Sequence, residues 1–145
     1  MKTVVITGSA RGLGFEMAKE FRKNNYNVVI SDILMEELYK AEEKLKSIET
    51  NAKVLSVKCD VTKEEDLENL KNEAVKYFEN IDIWINNAGV NQEMVPIWQV
   101  ETKDIDKLID IDLKGAMIGS IVAVNQMIKQ GFGQIYGIEG YGSND

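Results

Sequence analysis

Thr7-Gly8-Ser9-Ala10-Arg11-Gly12-Leu13-Gly14 is the stretch whose reading decides the fold of this chain. It follows the apolar run Val4, Val5 and Ile6 and opens a segment of helical periodicity, so a strand turns into a helix here. At such a turn the first N–H groups of the helix have no partner and the positive end of its dipole adds to them, which suits an anionic group such as a pyrophosphate. Gly8 permits a tight turn, Gly12 lets a phosphate approach the backbone, and Gly14 lets the helix lie close to the sheet.

Outward from this octet the chain alternates strands and helices. Leu13, Met17, Ala18 and Phe21 recur at helical spacing up to Asn24 and Asn25, and Val28, Val29 and Ile30 form a second strand that ends at Ser31 and Asp32. Leu34, Leu38, Ala41, Leu45 and Ile48 share one helix face. Val54, Leu55 and Val57 make a third strand running into Cys59, Asp60 and Val61, and Thr62 with Glu65 reads as a capping box before the stripe Leu67, Leu70, Ala74, Phe78. Ile81 to Ile85 is a fourth strand and runs into Asn86-Asn87-Ala88-Gly89. A loop with Pro96 and Trp98 leads to a helical pattern from about Thr102 to Lys129, interrupted at Lys114-Gly115, and Gly133 to Ile138 reads as a fifth strand. Strands that alternate with helices on short connections imply a parallel sheet.

Composition bounds the function. The 145 residues suit one domain, and a formal net charge of -7 argues against nucleic acid or an anionic membrane as the main partner. There is no histidine and one cysteine, which excludes a His/Cys metal site, a Ser-His-Asp or Cys-His nucleophile and a disulfide framework from these residues; no metal site is expected. No signal-peptide core or membrane-length apolar run occurs, and the cytoplasm is the expected compartment. Cys59 reads as a small buried strand residue rather than a reactive thiol.

The pattern T-G-x-x-x-G-x-G near the N-terminus, joined to N-N-A-G after the fourth strand, resembles the short-chain dehydrogenase/reductase family. The resemblance implies a Rossmann-type doubly wound parallel sheet in the order 3-2-1-4-5. It spans nearly all of residues 1–145 but only the first part of the family's domain, so this single NAD(P)-binding domain is expected to be incomplete at its C-terminus. The expected cofactor contacts are Gly8, Ser9, Arg11, Gly12, Leu13, Gly14, Asp32, Asp60, Val61, Asn87, Ala88 and Gly89, with Asp60-Val61 at the adenine. Asp32 falls 18 residues beyond Gly14, near the ~20 at which such folds place an acid on the adenosine ribose. Its carboxylate would repel a 2′-phosphate and favours NAD over NADP, although Arg11 is a counter-signal and Asp32 could instead cap the next helix.

For catalysis the resemblance implies an Asn in N-x-x-G, a serine closing the fifth strand and a Tyr-x-x-x-Lys pair. The chain has Asp112-Leu113-Lys114-Gly115 at the first place and Glu139-Gly140 at the second, with Ser143 three residues on; no tyrosine is followed by a lysine at the required distance. Asp112 and Ser143 are therefore the candidate catalytic positions, with Tyr136 and Tyr141 as further groups for a proton relay. The run E-G-Y-G-S-N resembles the chlorophyll-b-reductase-like branch of the family. The implied activity is hydride transfer between a nicotinamide cofactor and a carbonyl or alcohol substrate. The alternatives are a non-catalytic dinucleotide-binding module and half of a split enzyme, and a chain that ended at Asp145 is expected to bind cofactor without turnover. Ile118, Ile121 and Val122 lie on a helix that in the family meets a partner subunit, so a homo-oligomer is expected.

Overall fold

The computed structural model describes residues 1–90 and 94–138. Five parallel strands, β1 (Thr3–Ile6), β2 (Asn27–Asp32), β3 (Val54–Lys58), β4 (Ile83–Asn86) and β5 (Gln134–Gly137), form one sheet in the order β3-β2-β1-β4-β5. This is the expected Rossmann-type order. The helices α1 (Gly12–Lys23), α2 (Met35–Lys46), α3 (Glu64–Phe78), α4 (Thr102–Leu108) and α5 (Ala116–Gln130) connect the strands, with α4 joined to α5 by a π-helical stretch, Ile109–Gly115.

Strand alternation divides the core between the two faces of the sheet. Val4, Ile6, Val28, Ile30 and Ile85 pack with Leu38, Ala41 and Leu45 of α2 and Ala18 of α1. Val5, Val29, Val57 and Trp84 point the other way, into Leu67, Leu70 and Ala74 of α3 and Val122, Ala123 and Met127 of α5. Fully burying one such side chain is worth about 1.5–3 kcal/mol, so the apolar runs Val4–Ile6, Val28–Ile30 and Ile83–Ile85 of the central strands are held by both helical layers. β5 differs: Ile135 packs beneath α5, whereas Gln134, Tyr136 and Gly137 are exposed.

Several sequence expectations are corrected at this level. Leu13 and Leu34 do not join their helices' buried stripes; both are exposed, at 58% and 45%, and both border the cleft described below. The capping box fails: α3 begins at Glu64 after Lys63, without a side-chain cap, and the Thr62 hydroxyl donates instead to Asp60 Oδ1 (2.7 Å), while Asp66 Oδ2 accepts the Asp60 N–H (2.9 Å). On α5, Val122 is buried and Ile118 packs against the core, so of the three expected partner-facing residues only Ile121 points outward. The exposed apolar stripe is Met117, Ile121, Val124 and Ile128. Because α5 is apolar on opposite sides, periodicity alone does not say which side meets the sheet.

One polar residue that the sequence did not advertise fastens the α1–α2 layer. Arg22 is buried; its Nε donates to the Leu45 carbonyl (3.0 Å) and its Nη1 to the Ala52 carbonyl, and burial lowers its pKa from the ordinary value.

Candidate cofactor cleft

In this order β1 lies between β2 and β4, so successive connections leave it in opposite directions and a crevice opens at the carboxyl ends of the strands. A cleft of about 1050 Å³ occupies that place. Its floor is the turn from β1 into α1. Gly8 has φ +61 and Gly12 φ +59, a region costly for other residues, and a Cβ on Gly8 would stand 2.6 Å from Ala88 Cα. A Cβ on Gly12 would meet nothing within 4 Å: that glycine faces open space, a cradle that fits the approach of a phosphate. Gly14 is packed, with no room for a side chain beside Asn87 Nδ2 and the Gly8 carbonyl.

The two sequence motifs interlock. Thr7 Oγ1 accepts the N–H groups of Asn87 (3.0 Å) and Ala88 (3.1 Å), while Asn87 Nδ2 donates to the carbonyls of Thr7 (3.0 Å) and Gly8 (2.9 Å). The neighbouring asparagine works elsewhere: Asn86 Oδ1 accepts the Trp84 indole N–H (2.9 Å) and Asn86 Nδ2 donates to Ser120 Oγ (2.9 Å), anchoring α5. Two adjacent identical residues thus serve two different elements, which no sequence pattern distinguished.

Of the expected cofactor contacts, all but Ser9 line the cleft. Ser9 is fully buried; its hydroxyl donates to the Ile6 carbonyl (2.7 Å) and accepts the Ser31 N–H (3.0 Å), so it ties the turn to β2 and is not a wall residue. Asp32 stands at the end of β2. Its Oδ2 accepts the Ala10 N–H (3.3 Å) and its Oδ1 those of Ile33 (2.8 Å) and Leu34 (3.3 Å). It does not cap α2, whose N-cap is Leu34. Asp60 closes the same side. Burial would raise its pKa, but the two Thr62 hydrogen bonds, with Lys63 and Lys58 nearby, outweigh that and hold the carboxyl below its usual range. Beside it Cys59 is buried, its thiol pushed up to about 12 by burial and then by Asp66 and Asp60, which makes it inert as the sequence suggested.

Across the cleft, Asp112 sits in the π-helical stretch, a geometry frequent at functional sites, and its Oδ1 accepts the Val90 N–H (2.8 Å). Lys107, Ile111, Gly137 and Ile138 complete this side; nothing in the sequence pattern singled out Lys107 or Ile111. Tyr136 is not part of the wall, since its side chain alternates away and its hydroxyl donates to Gln134 Oε1 (3.2 Å). Ser143, Tyr141, Glu139 and Gly140 lie outside the described residues.

A Rossmann-type sheet with a glycine turn at its switch point defines a dinucleotide-binding class of protein. The family comparison is specific: the short chain dehydrogenase family matches residues 2–140, and the chain belongs to that family. It is 37% identical to a probable chlorophyll(ide) b reductase of the Arabidopsis thaliana chloroplast, over 98% of this chain and 32% of that protein. A diacetyl reductase of Staphylococcus epidermidis is 36% identical over 89% of the chain and 49% of its own length. The crystal structure of an NAD+-bound xylitol dehydrogenase superposes with a TM-score of 0.89 at 27% identity, covering 94% of this chain and 52% of that one. The chain thus spans about half or less of these proteins. Among the described residues, no helix is long and apolar enough to cross a membrane.

Proposed function

We propose that this chain is the cofactor-binding part of a short-chain oxidoreductase that uses NAD(H) rather than NADP(H) and transfers hydride between the nicotinamide and a carbonyl or alcohol carbon. When bound, the nicotinamide supplies the hydride chemistry. The chain's own residues bind and orient: the N–H groups of the Gly12–Gly14 turn face the pyrophosphate, Asp32 accepts the ribose hydroxyls, Asp60 and Val61 flank the adenine, and Asn87 to Gly89 form the floor under the other half. Asp112 holds that floor in place through Val90. No tyrosine or serine stands among the described residues lining the cleft, whose part is to bind and orient the cofactor.

The observation that carries the NAD preference is Asp32. Its carboxylate lines the cleft on the same side as Asp60, and the next two residues, Ile33 and Leu34, offer no cation for a 2′-phosphate. Titration with NADH and NADPH tests it. NADH is expected to bind at least about tenfold more tightly, a difference of about 1.4 kcal/mol; equal or tighter NADPH binding removes the role given to Asp32.

A homo-oligomer belongs to the same proposal. Ile105, Ile109 and Leu113 are exposed as well as the α5 stripe, and such apolar surface on adjoining helices favours burial against another subunit.

A further inference from the structure

We infer that Asp112 biases this site toward the oxidised, positively charged form of the nicotinamide cofactor. The inference rests on the dinucleotide reading of the cleft and adds to it a preference between two redox states.

The sheet order fixes the geometry. The glycine turn after β1 is central, Asp32 and Asp60 stand at the ends of β2 and β3 on one side, and Asn87 to Val90 follow β4 on the other. A dinucleotide with its pyrophosphate on the central turn and its adenosine at Asp32 places its nicotinamide half on the β4–β5 side. Asp112 belongs to that side: its Oδ1 accepts the Val90 N–H at 2.8 Å, and a Cβ on Gly89 would stand 3.3 Å from it.

The family pattern has Asn where this chain has Asp112. The two side chains share one shape, and an oxygen of either can accept the Val90 N–H, the carboxylate more strongly. What the substitution adds is a negative charge on the wall of the nicotinamide half. Among the described residues Asp112 takes part in no ion pair; the cations lining the cleft are Arg11, at the glycine turn, and Lys107 on α4. The oxidised nicotinamide ring carries one positive charge and loses it on accepting hydride. A carboxylate on that wall therefore attracts one form of the ring and not the other; Asp112 is exposed, so solvent and salt screen part of that attraction. Tighter binding of the oxidised form also lowers the reduction potential of the bound couple.

The test measures dissociation constants of NAD+, NADH and ADP-ribose for the 145-residue chain and its Asp112→Asn variant by calorimetry. The ratio Kd(NADH)/Kd(NAD+) is expected to fall about threefold in the variant, the size of effect an exposed charge pair gives, with ADP-ribose, which lacks the ring, changed less than twofold. In the unmodified chain the same ratio is expected to shrink as salt rises from 0.05 to about 0.5 M, because the attraction is screened; this arm needs no variant. A ratio indifferent to both the substitution and salt overturns the inference. Equal weakening of all three ligands overturns it too, since Asp112 would then act only by holding the loop. If the unmodified chain binds none of the three, the dinucleotide reading itself falls, an outcome distinct from binding with an unchanged ratio.

Discussion

Strands β1 and β5 belong to one parallel sheet, yet Val4, Val5 and Ile6 are completely shielded from solvent while three of the four residues of β5 are exposed. The difference lies in cover. β1 has α1 and α2 on one face and α3 and α5 on the other, whereas β5 has α5 above Ile135 and no described residue packed over Tyr136. A strand's place in a hydrogen-bonded ladder and its contribution to the core are therefore separate quantities, and the site inherits both: the glycine turn grows from the most buried strand, and Gly137 and Ile138 from the least.

The sharpest way to break the comparison is truncation on each side of it. Trp84→Ala on β4 removes the bulkiest fully buried side chain and the donor to Asn86, and is expected to cost about 3–5 kcal/mol. Tyr136→Ala on β5 is expected to stay within about 0.5 kcal/mol. Urea unfolding of both variants measures the contrast, and similar costs would show that β5 is covered in solution. A smaller effect probes what cover demands of polar groups. Arg22→Met keeps the stem but leaves the Leu45 and Ala52 carbonyls without their donor, at an expected cost of about 1–3 kcal/mol, read from the same unfolding curves.

The smallest effect concerns the half-covered end of β3. Asp60 has its pKa lowered in the folded chain, so its stabilisation is present above the unfolded value, roughly 3.9, and is lost as pH falls through the lower folded value. Asp60→Asn should flatten the acid limb of the stability profile below about pH 4 while leaving its neutral part nearly level. A profile with an unaltered acid limb would mean that the Thr62 hydrogen bonds do not hold the carboxylate in solution.

Much of this molecule is legible in the sequence because the determinants are local. The turn Gly8 to Gly14, the strand at Val28 to Ile30 and Asp32 at its end can be recognised from spacing, and the family resemblance that they carry with N-N-A-G implies the sheet order. What escaped reading depends on the partner across space. The Thr62 hydroxyl donates to the Asp60 carboxylate rather than capping the helix, and Asp66 of the first helical turn reaches back to the Asp60 N–H. Ser9 looks like a turn residue free to meet a ligand, but β2 passes close enough to claim its hydroxyl. Arg22 sits on a helix that reads as charged and exposed, and only the chain after α2 reveals why it is buried. At Asp112 the sequence shows a departure from the family; the bond to Val90 shows what an acid can still do there.

The seven-residue π-helical stretch from Ile109 to Gly115 has a consequence for how this segment tolerates changes in length. Where an α-helix closes each hydrogen bond four residues back, a π turn closes it five back, so it absorbs one surplus residue without turning the helix that follows. A chain one residue shorter here would keep α4 and α5 in register, with Gly119 still pressed against Asn86 where no side chain fits. It would give up the widened turn from which Asp112 reaches Val90. Deletion, usually ruinous inside a helix, would act at this point as a local edit of the cleft wall.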